Sequence, residues 1–473
     1  MDTNVLKAAD LRDEAVAAPD ADTVIVPAPI DRRSARGLDW LNFFVANLQT
    51  AFGPFIAVYL TGEHWTQGQI GLVLTVGSIT AMASQVPAGA FVDMLANKHV
   101  AAMASILAIV FSCLLLAVFP QRLPVTAAEI LHGFASCMLN PAIAAITLSL
   151  VAAHTAEKSP RELSTDAAEK ARAAESGKAA HAALGERFGR NASFGSIGNA
   201  LAAGLMGGVG YAVSARATFF LGAALAIPGL FALRAIERVP PPEVETKAPA
   251  GTSRKAPRGL GALLRDKRLF GFAVCVIFFH LSNAGMLPLA AGQVTKKAGH
   301  LAELIIAACI LVPQLVGAVL APRFGRWAGI YGRRPIMLVA FAALPLRGLL
   351  LAISSSPEMT VAAQLLDAVS SAAFGVMLPL VAADLSRGTG RFNLCMGLLG
   401  LAMGIGASLS TTLAGFVADR SVPAGFLVLA GAGMLCVLSV WLLFTETAPP
   451  DTSRPIRPAR TERAGSSRAG TPD

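Results

Sequence analysis

Charge is scarce in this chain. Only 15% of its 473 residues are Asp, Glu, Lys or Arg, against 54% hydrophobic, and the mean hydropathy is +0.59. Soluble globular chains carry about a quarter of their residues charged, so the composition excludes that class and places the chain in lipid. Cysteine is sparse as well: Cys113, Cys137, Cys275, Cys309, Cys395 and Cys436 sit in apolar stretches, no two of them close in sequence. That spacing offers neither a disulfide framework nor a metal cluster, which leaves small apolar packing as the reading. A glycine-rich phosphate loop with its lysine, a nucleophile elbow and metal-ligand spacing are all missing. Neither enzyme chemistry nor a cofactor or metal is therefore expected. The residues before Leu38 hold five cations, several acids and no apolar core, so no cleavable signal peptide is expected.

Long apolar runs, by contrast, are plentiful. Runs of about 18 to 25 residues, enough to cross about 30 Å of hydrocarbon, start near 38, 68, 100, 124, 190 and 216, and again near 269, 301, 335, 359, 392 and 423. They predict an all-α membrane protein of twelve spans. The cations set its orientation: with both termini cytoplasmic, that face holds 33 of the 39 Lys and Arg, as short cytoplasmic loops require. The other face has Arg122, Arg216, Lys296, Lys297, Arg347 and Arg420. The net charge of +9 is thus a topology signal and not a nucleic-acid footprint.

The domain plan that follows is a cytoplasmic tail (1–37), a six-span bundle (38–234), a central cytoplasmic linker (235–268), a second six-span bundle (269–445) and a cytoplasmic tail (446–473). Within the first bundle, the charged stretch 154–189 reads as a solvated cytoplasmic helix between spans 4 and 5. Linker and final tail are rich in Pro and basic residues, and the tail is expected to be disordered. Each of these three segments is either a solvated connector or a regulatory element.

The two halves repeat one another. Gly89, Asp93 and Lys98 between spans 2 and 3 recur as Gly325, Gly332, Arg333 and Arg334 between spans 8 and 9, with Gly325 lying 236 residues after Gly89. Span 1 carries Phe43-Phe44 and Asn47 before Pro54; span 7 carries Phe278-Phe279 and Asn283 before Pro288. Glu129 and His132 precede Pro141 in span 4, where Gln364 and Asp367 precede Pro379 in span 10. The openings Gly189-Arg190-Asn191 and Gly390-Arg391-Phe392-Asn393 match in spans 5 and 11. These four prolines mark expected bends, and the glycine runs of spans 5 and 11 mark faces of close helix approach.

On this doubled pattern the chain, over roughly residues 38 to 445, resembles a twelve-helix member of the major facilitator superfamily, similar to drug and metabolite efflux carriers. The family loop runs Gly, Asp, Gly, then Arg or Lys; Gly89, Asp93 and Lys98 match it, while Ala96 replaces the second glycine. In the second copy Gly329 replaces the acid. The resemblance implies two pseudo-symmetric six-helix bundles that rock about a buried site. It also implies that Asp93 latches the cytoplasmic face to the start of span 11, with the positive helix end and Arg391 as partners.

Polar groups inside spans face an interior or a water path. The candidate substrate and proton pathway is therefore Asn47, Gln49, Glu129, His132, His280, Asn283, Arg347 and Asp367. Glu129 and His132 share one helix face, and His132 and Asp367 lie about 12 Å below the outer surface at about 1.5 Å per residue. Carboxylates and histidine are the groups that carry protons in a low-dielectric cavity. Plainer readings stand beside this: Glu129 hydrated near the surface, Asp367 as a structural partner of Arg347, His280 as a packing residue, and the amides as glue between helices.

The ranked function is proton-coupled export of a small organic solute, because the cavity spans are mainly apolar and lack a dense cation cluster for a phosphorylated substrate. The chain departs from the drug and proton antiporter pattern in two places: span 5 has no Gly-Pro pair near Gly195 to Asn199, and Glu129 stands where an arginine is usual. An uptake symporter or facilitator is the alternative within transport. A transporter-like sensor or scaffold is the alternative outside it. The expected partners are the solute, protons and the lipid bilayer, with no nucleic acid, and the protein is expected to be monomeric. Richness in alanine and arginine with little lysine suggests a bacterial inner membrane.

Overall fold

The structure, a computed structural model, describes residues 30–52, 54–156, 167–239, 265–298, 302–387 and 389–448. Expectations for the two tails beyond these limits, for 157–166 and for most of the linker fall outside the described residues. Helices follow in the order of the expected spans: α1 (Arg32–Thr50 and Pro54–Gly62), α2 (Gln67–Met94), α3 (Lys98–Val118), α4 (Arg122–Ala156), α5 (Ala167–Ala212) and α6 (Ala215–Ala235). The second half comprises α7 (Lys267–Asn283 and Met286–Ala298), α8 (Ala302–Tyr331), α9 (Arg333–Phe341 and Ala343–Ile353), α10 (Pro357–Ser386), α11 (Phe392–Ala418) and α12 (Val422–Leu442). No strand occurs among the described residues.

Local chemistry fixes the helix starts. Thr66 and Gln69 form a reciprocal capping box on α2, and Asn97, Ser214, Asp266, Ser356 and Ser421 accept first-turn N–H groups of α3, α6, α7, α10 and α12. Proline sets the breaks. A proline ring clashes with the carbonyl four residues earlier, and the interruptions of α1, α7 and α9 fall at or just beyond the residue four places before Pro54, Pro288 and Pro345. Pro141 and Pro379 interrupt nothing: α4 and α10 run through them as single helices. The expected bends at those two positions are thus not breaks.

Among the described residues, eleven helices are long and apolar enough to cross a membrane. The remaining expected crossing is the second half of α5, where Arg190, Asn191, Ser193 and Asn199 interrupt the apolar run. This helix starts at Ala167, well before the expected start near 190, and spans 46 residues. Part of the anticipated connector is therefore a continuation of α5.

Packing repeats as the sequence does. Within the first half α1 meets α5 and α6, α2 and α3 meet α4, and α3 meets α6; the pairs α7–α11, α7–α12, α8–α10, α9–α10 and α9–α12 repeat this. The two bundles face each other chiefly through α5 on α8 and α2 on α11. Side chains such as Leu72, Phe111, Phe231, Phe270, Val339 and Trp441 remain exposed around the outside, as expected of a surface solvated by lipid. One apolar core occupies the first half, while the larger of two in the second half continues into Ala144, Ala145 and Val151 of α4 and Leu184 and Phe188 of α5. The halves therefore share packing at one end.

Candidate functional site

In the second half a buried arginine organises three helices. Arg347 of α9, 1% exposed, donates through Nη1 to Asp367 Oδ1 at 2.8 Å and to Asn283 Oδ1, and through Nη2 to Gln364 Oε1 at 2.7 Å. Ser371 donates to Asp367 at 3.2 Å, and Gln364 donates onward to the Thr360 carbonyl at 3.0 Å. Asp367 keeps 18% exposure, and the charges of the pair cancel. Three residues singled out from sequence (Asn283, Arg347, Asp367) are brought together here, along with Gln364. His280 is placed apart from them: its Nδ1 lies 3.1 Å from the Val276 carbonyl, and its ring packs edge-on against Phe374.

The first half holds related residues without that closure. Glu129 is 6% exposed and its Oε1 has no protein partner. Its other oxygen lies against α2 at Gly77, where an added Cβ would come within 2.4 Å of it. His132 stacks on Phe52 with centroids 3.7 Å apart, its Nε2 unpartnered. Asn47 donates to the Phe43 carbonyl at 2.8 Å while its Oδ1, like Gln49 Nε2 and Ser136 Oγ, lacks a partner. A buried polar atom without a partner costs free energy. Five such atoms fall on α1 and α4.

At the end carrying the repeated turns, the halves are joined. Asp93 Oδ1 accepts from Asn393 N (3.0 Å) and Nδ2 (2.7 Å), and Oδ2 accepts from Leu394 N (2.7 Å). A carboxylate thus sits on free N–H groups at the start of α11, where the helix dipole favours it. Asn393, not Arg391, is its side-chain partner among the described contacts. Lys98 closes the end of α2 by donating to the carbonyls of Val92, Asp93 and Leu95. Gly89 is required by contact: a Cβ there would lie 2.2 Å from the Asn393 carbonyl oxygen.

The second copy of the turn is used differently. Gly332, at φ +91°, holds a left-handed conformation that favours glycine, and the N–H groups of Arg333 and Arg334 donate to Glu446 at 2.9 Å each. The Arg333 side chain, fully buried, donates to the Ala328 carbonyl at 2.6 Å and lies 3.3 Å from Asp384 of α10. His181 of α5 joins that group, with Nδ1 3.3 Å from both Asp384 and Arg333 and Nε2 against Arg387. Beside it, Gly325 of α8 meets Gly185 of α5 so closely that a Cβ would fall 2.1 Å from the Gly185 oxygen. A cavity of about 500 Å³ lies at this end, lined from both halves by Asp93, Lys98, Thr155, His181, Asp384 and Arg387. Toward the opposite end, Gly204, Gly207 and Gly208 of α5 face open space. The close contacts between the bundles described here thus gather toward the end carrying the repeated turns.

Sequence reading missed one cluster altogether. Asp39 of α1 pairs with Arg187 and with Arg190 of α5 (2.7 Å to the latter), while Arg187 also donates to Asn191, which donates to Thr147 of α4 at 2.9 Å. The available signal was an aspartate inside an apolar span, which calls for a cation.

Comparison with known proteins gives one answer. A family model described as Major Facilitator Superfamily matches residues 38–312 and 281–469. An uncharacterized MFS-type transporter of Mycobacterium tuberculosis is 32% identical over 448 residues, covering 92% of this chain and 98% of its own. The class B tetracycline resistance protein of Escherichia coli is 30% identical over 133 residues, 28% of this chain and 33% of that one. Among solved structures, the human organic anion transporter MFSD10 superposes with a TM-score of 0.64 at 15% identity, covering 87% of this chain and all of that one. The E. coli fucose:proton symporter FucP gives 0.64 at 12% identity, with 87% and 98% covered.

Proposed function

As the chain belongs to the Major Facilitator Superfamily, whose members are membrane transporters and not enzymes, we propose that it exports a small organic solute in exchange for protons by alternating access. The observation that carries this reading is the contrast between the halves. Arg347 and Asp367 neutralise each other, whereas buried Glu129 and half-buried His132 have no ionic partner. An ionisable pair left open inside a span is positioned to take up and release a charge as the bundles rock. The local likeness to tetracycline resistance proteins supports the outward direction.

In this reading the repeated turns lie in the cytoplasm, both termini are cytoplasmic, and the protein sits as a monomer in a bacterial inner membrane. The shut end is then the cytoplasmic one, and the state is open to the outside. The domain limits 38–234 and 269–445 mark the two rocking bodies, with 235–268 as their tether. Asp93 on α11, together with the Gly185–Gly325 contact, is the latch that must part before solute enters from within.

Proton flux in liposomes loaded with a compound panel tests the proposal. Native protein is expected to exchange protons for solute. Glu129→Gln and His132→Ala are expected to lower coupled flux by about 100-fold, the lower end of what a positioned acid–base group contributes to proton transfer. Asp367→Asn, by leaving Arg347 uncompensated, is expected to lower it too. Native coupling in all three variants would overturn the assignment of these residues, and accumulation driven inward by the proton gradient would replace export with uptake.

A further inference from the structure

The repeat predicts which kind of solute the first half receives. Helices α3 and α9 correspond end for end, since Lys98–Val118 and Arg333–Ile353 are both displaced by 235 positions, and α4 and α10 begin 235 positions apart at Arg122 and Pro357. At this displacement Glu129 corresponds to Gln364, His132 to Asp367, Ser136 to Ser371 and Ser112 to Arg347. The second half supplies its own cation: the guanidinium of Arg347 gathers Asn283, Gln364 and Asp367. In the first half the corresponding residue is Ser112, whose hydroxyl turns back to the Ala108 carbonyl at 3.0 Å. The acceptors remain, with Glu129 Oε1 and Asn47 Oδ1 buried and unpartnered, and Glu129 is 6% exposed.

Charge balance points the same way. Of the ionic side chains in these two corresponding clusters, Arg347 and Asp367 cancel, and Glu129 remains with no counter-charge from protein. A lone carboxylate inside a span is balanced by a proton or by a cation.

We infer that the first half binds the cationic head of the solute, a monovalent ammonium or amidinium group, at Glu129, in the role that Arg347 plays within the second half. The inference rests on the transport reading above and adds the substrate class: proton and organic cation occupy one carboxylate in turn, and a neutral body extends toward the apolar space between the bundles.

Three compounds of nearly one shape separate the charge from the rest: benzamidinium, benzamide and benzoate. Binding of each to the purified full-length protein, measured by calorimetry, is expected to favour benzamidinium over the other two by at least about tenfold, the smaller end of what an unpaired buried charge partner is worth. Glu129→Gln is expected to abolish that preference and Glu129→Asp to retain part of it. Ser112→Arg, which carries the second half's arginine into the first, is expected to abolish it too. Gel filtration and circular dichroism establish that each variant is folded, and the Asp variant reports on charge if either of the others is not. Equal binding of benzamidinium and benzamide, or no binding of either, overturns the inference, as does a folded Glu129→Gln that keeps the preference. Coupled flux of a neutral or anionic compound in liposomes would leave the transport reading standing while this inference fell; absence of any flux with benzamidinium preference intact would do the reverse.

Discussion

Asp93 shows how much of the contact between two bundles can rest on one side chain. Its two oxygens accept three hydrogen bonds from the first turn of α11, an arrangement in which charge and free N–H groups reinforce each other. Asp93→Ala removes all three and is expected to weaken the shut end by about 2 kcal/mol, or about thirtyfold in the balance between shut and open forms. Spin-label distances between the α2–α3 turn and the α10–α11 turn would report this as growth of a longer-distance population. An unchanged distribution would assign the holding force to the glycine contacts instead. Of those, Gly325 is the most constrained: any larger residue must displace the backbone of α5.

Helix α5 is the element in which sequence and structure differ most. Its first turns carry so many charges among alanines that they resemble a solvated connector, and hydrophobic periodicity cannot distinguish a helix bathed in water from one docked on a second bundle. The docking depends on Gly185, Gly189 and His181 meeting α8 and α10, contacts made across more than a hundred residues of chain. The pairing of Asp39 with Arg187 was hidden for the same reason. The other spans were legible because bilayer thickness imposes their length, and the breaks of α1 and α7 because Pro54 and Pro288 are local causes. Asn283, Arg347 and Asp367 were legible as polar groups in apolar runs, but their convergence on one guanidinium is a property of packing. The Asp39 cluster also gives a stability prediction. Asp39→Asn leaves Arg187 buried without its counter-charge and is expected to cost about 3 to 5 kcal/mol, read as a lowered midpoint in thermal unfolding of detergent-solubilised protein. A midpoint equal to that of native protein would mean that Arg187 is compensated by its amide and carbonyl partners alone.

For the whole molecule, the relevant fact is that its two bundles are held together at the end carrying the repeated turns, through α5 on α8 and α2 on α11. A cross-link across the closed end tests whether that contact must open during turnover. An added Cβ at Gly329 would lie 3.3 Å from the Ala182 Cβ, near the roughly 3.5 to 4.5 Å of a disulfide. Ala182→Cys combined with Gly329→Cys is therefore expected to form a bridge under oxidation and stop solute flux, with reduction restoring it. Flux that continues in the oxidised, fully bridged protein would rule out a cycle in which these helices separate.

The length of α5 has a mechanical consequence. At about 1.5 Å per residue its 46 residues form a rod of about 69 Å, more than twice the thickness of the hydrocarbon layer. It is seated against α8 near Gly185 and Gly189, while Gly204, Gly207 and Gly208 face open space. A rigid rod pivoting at its seat works as a lever: a tilt of about 10° displaces a point about 30 Å from the pivot by about 5 Å. Small adjustments around His181 are thereby magnified at the far rim, and pressure applied at the rim is returned, reduced in travel, to the seat.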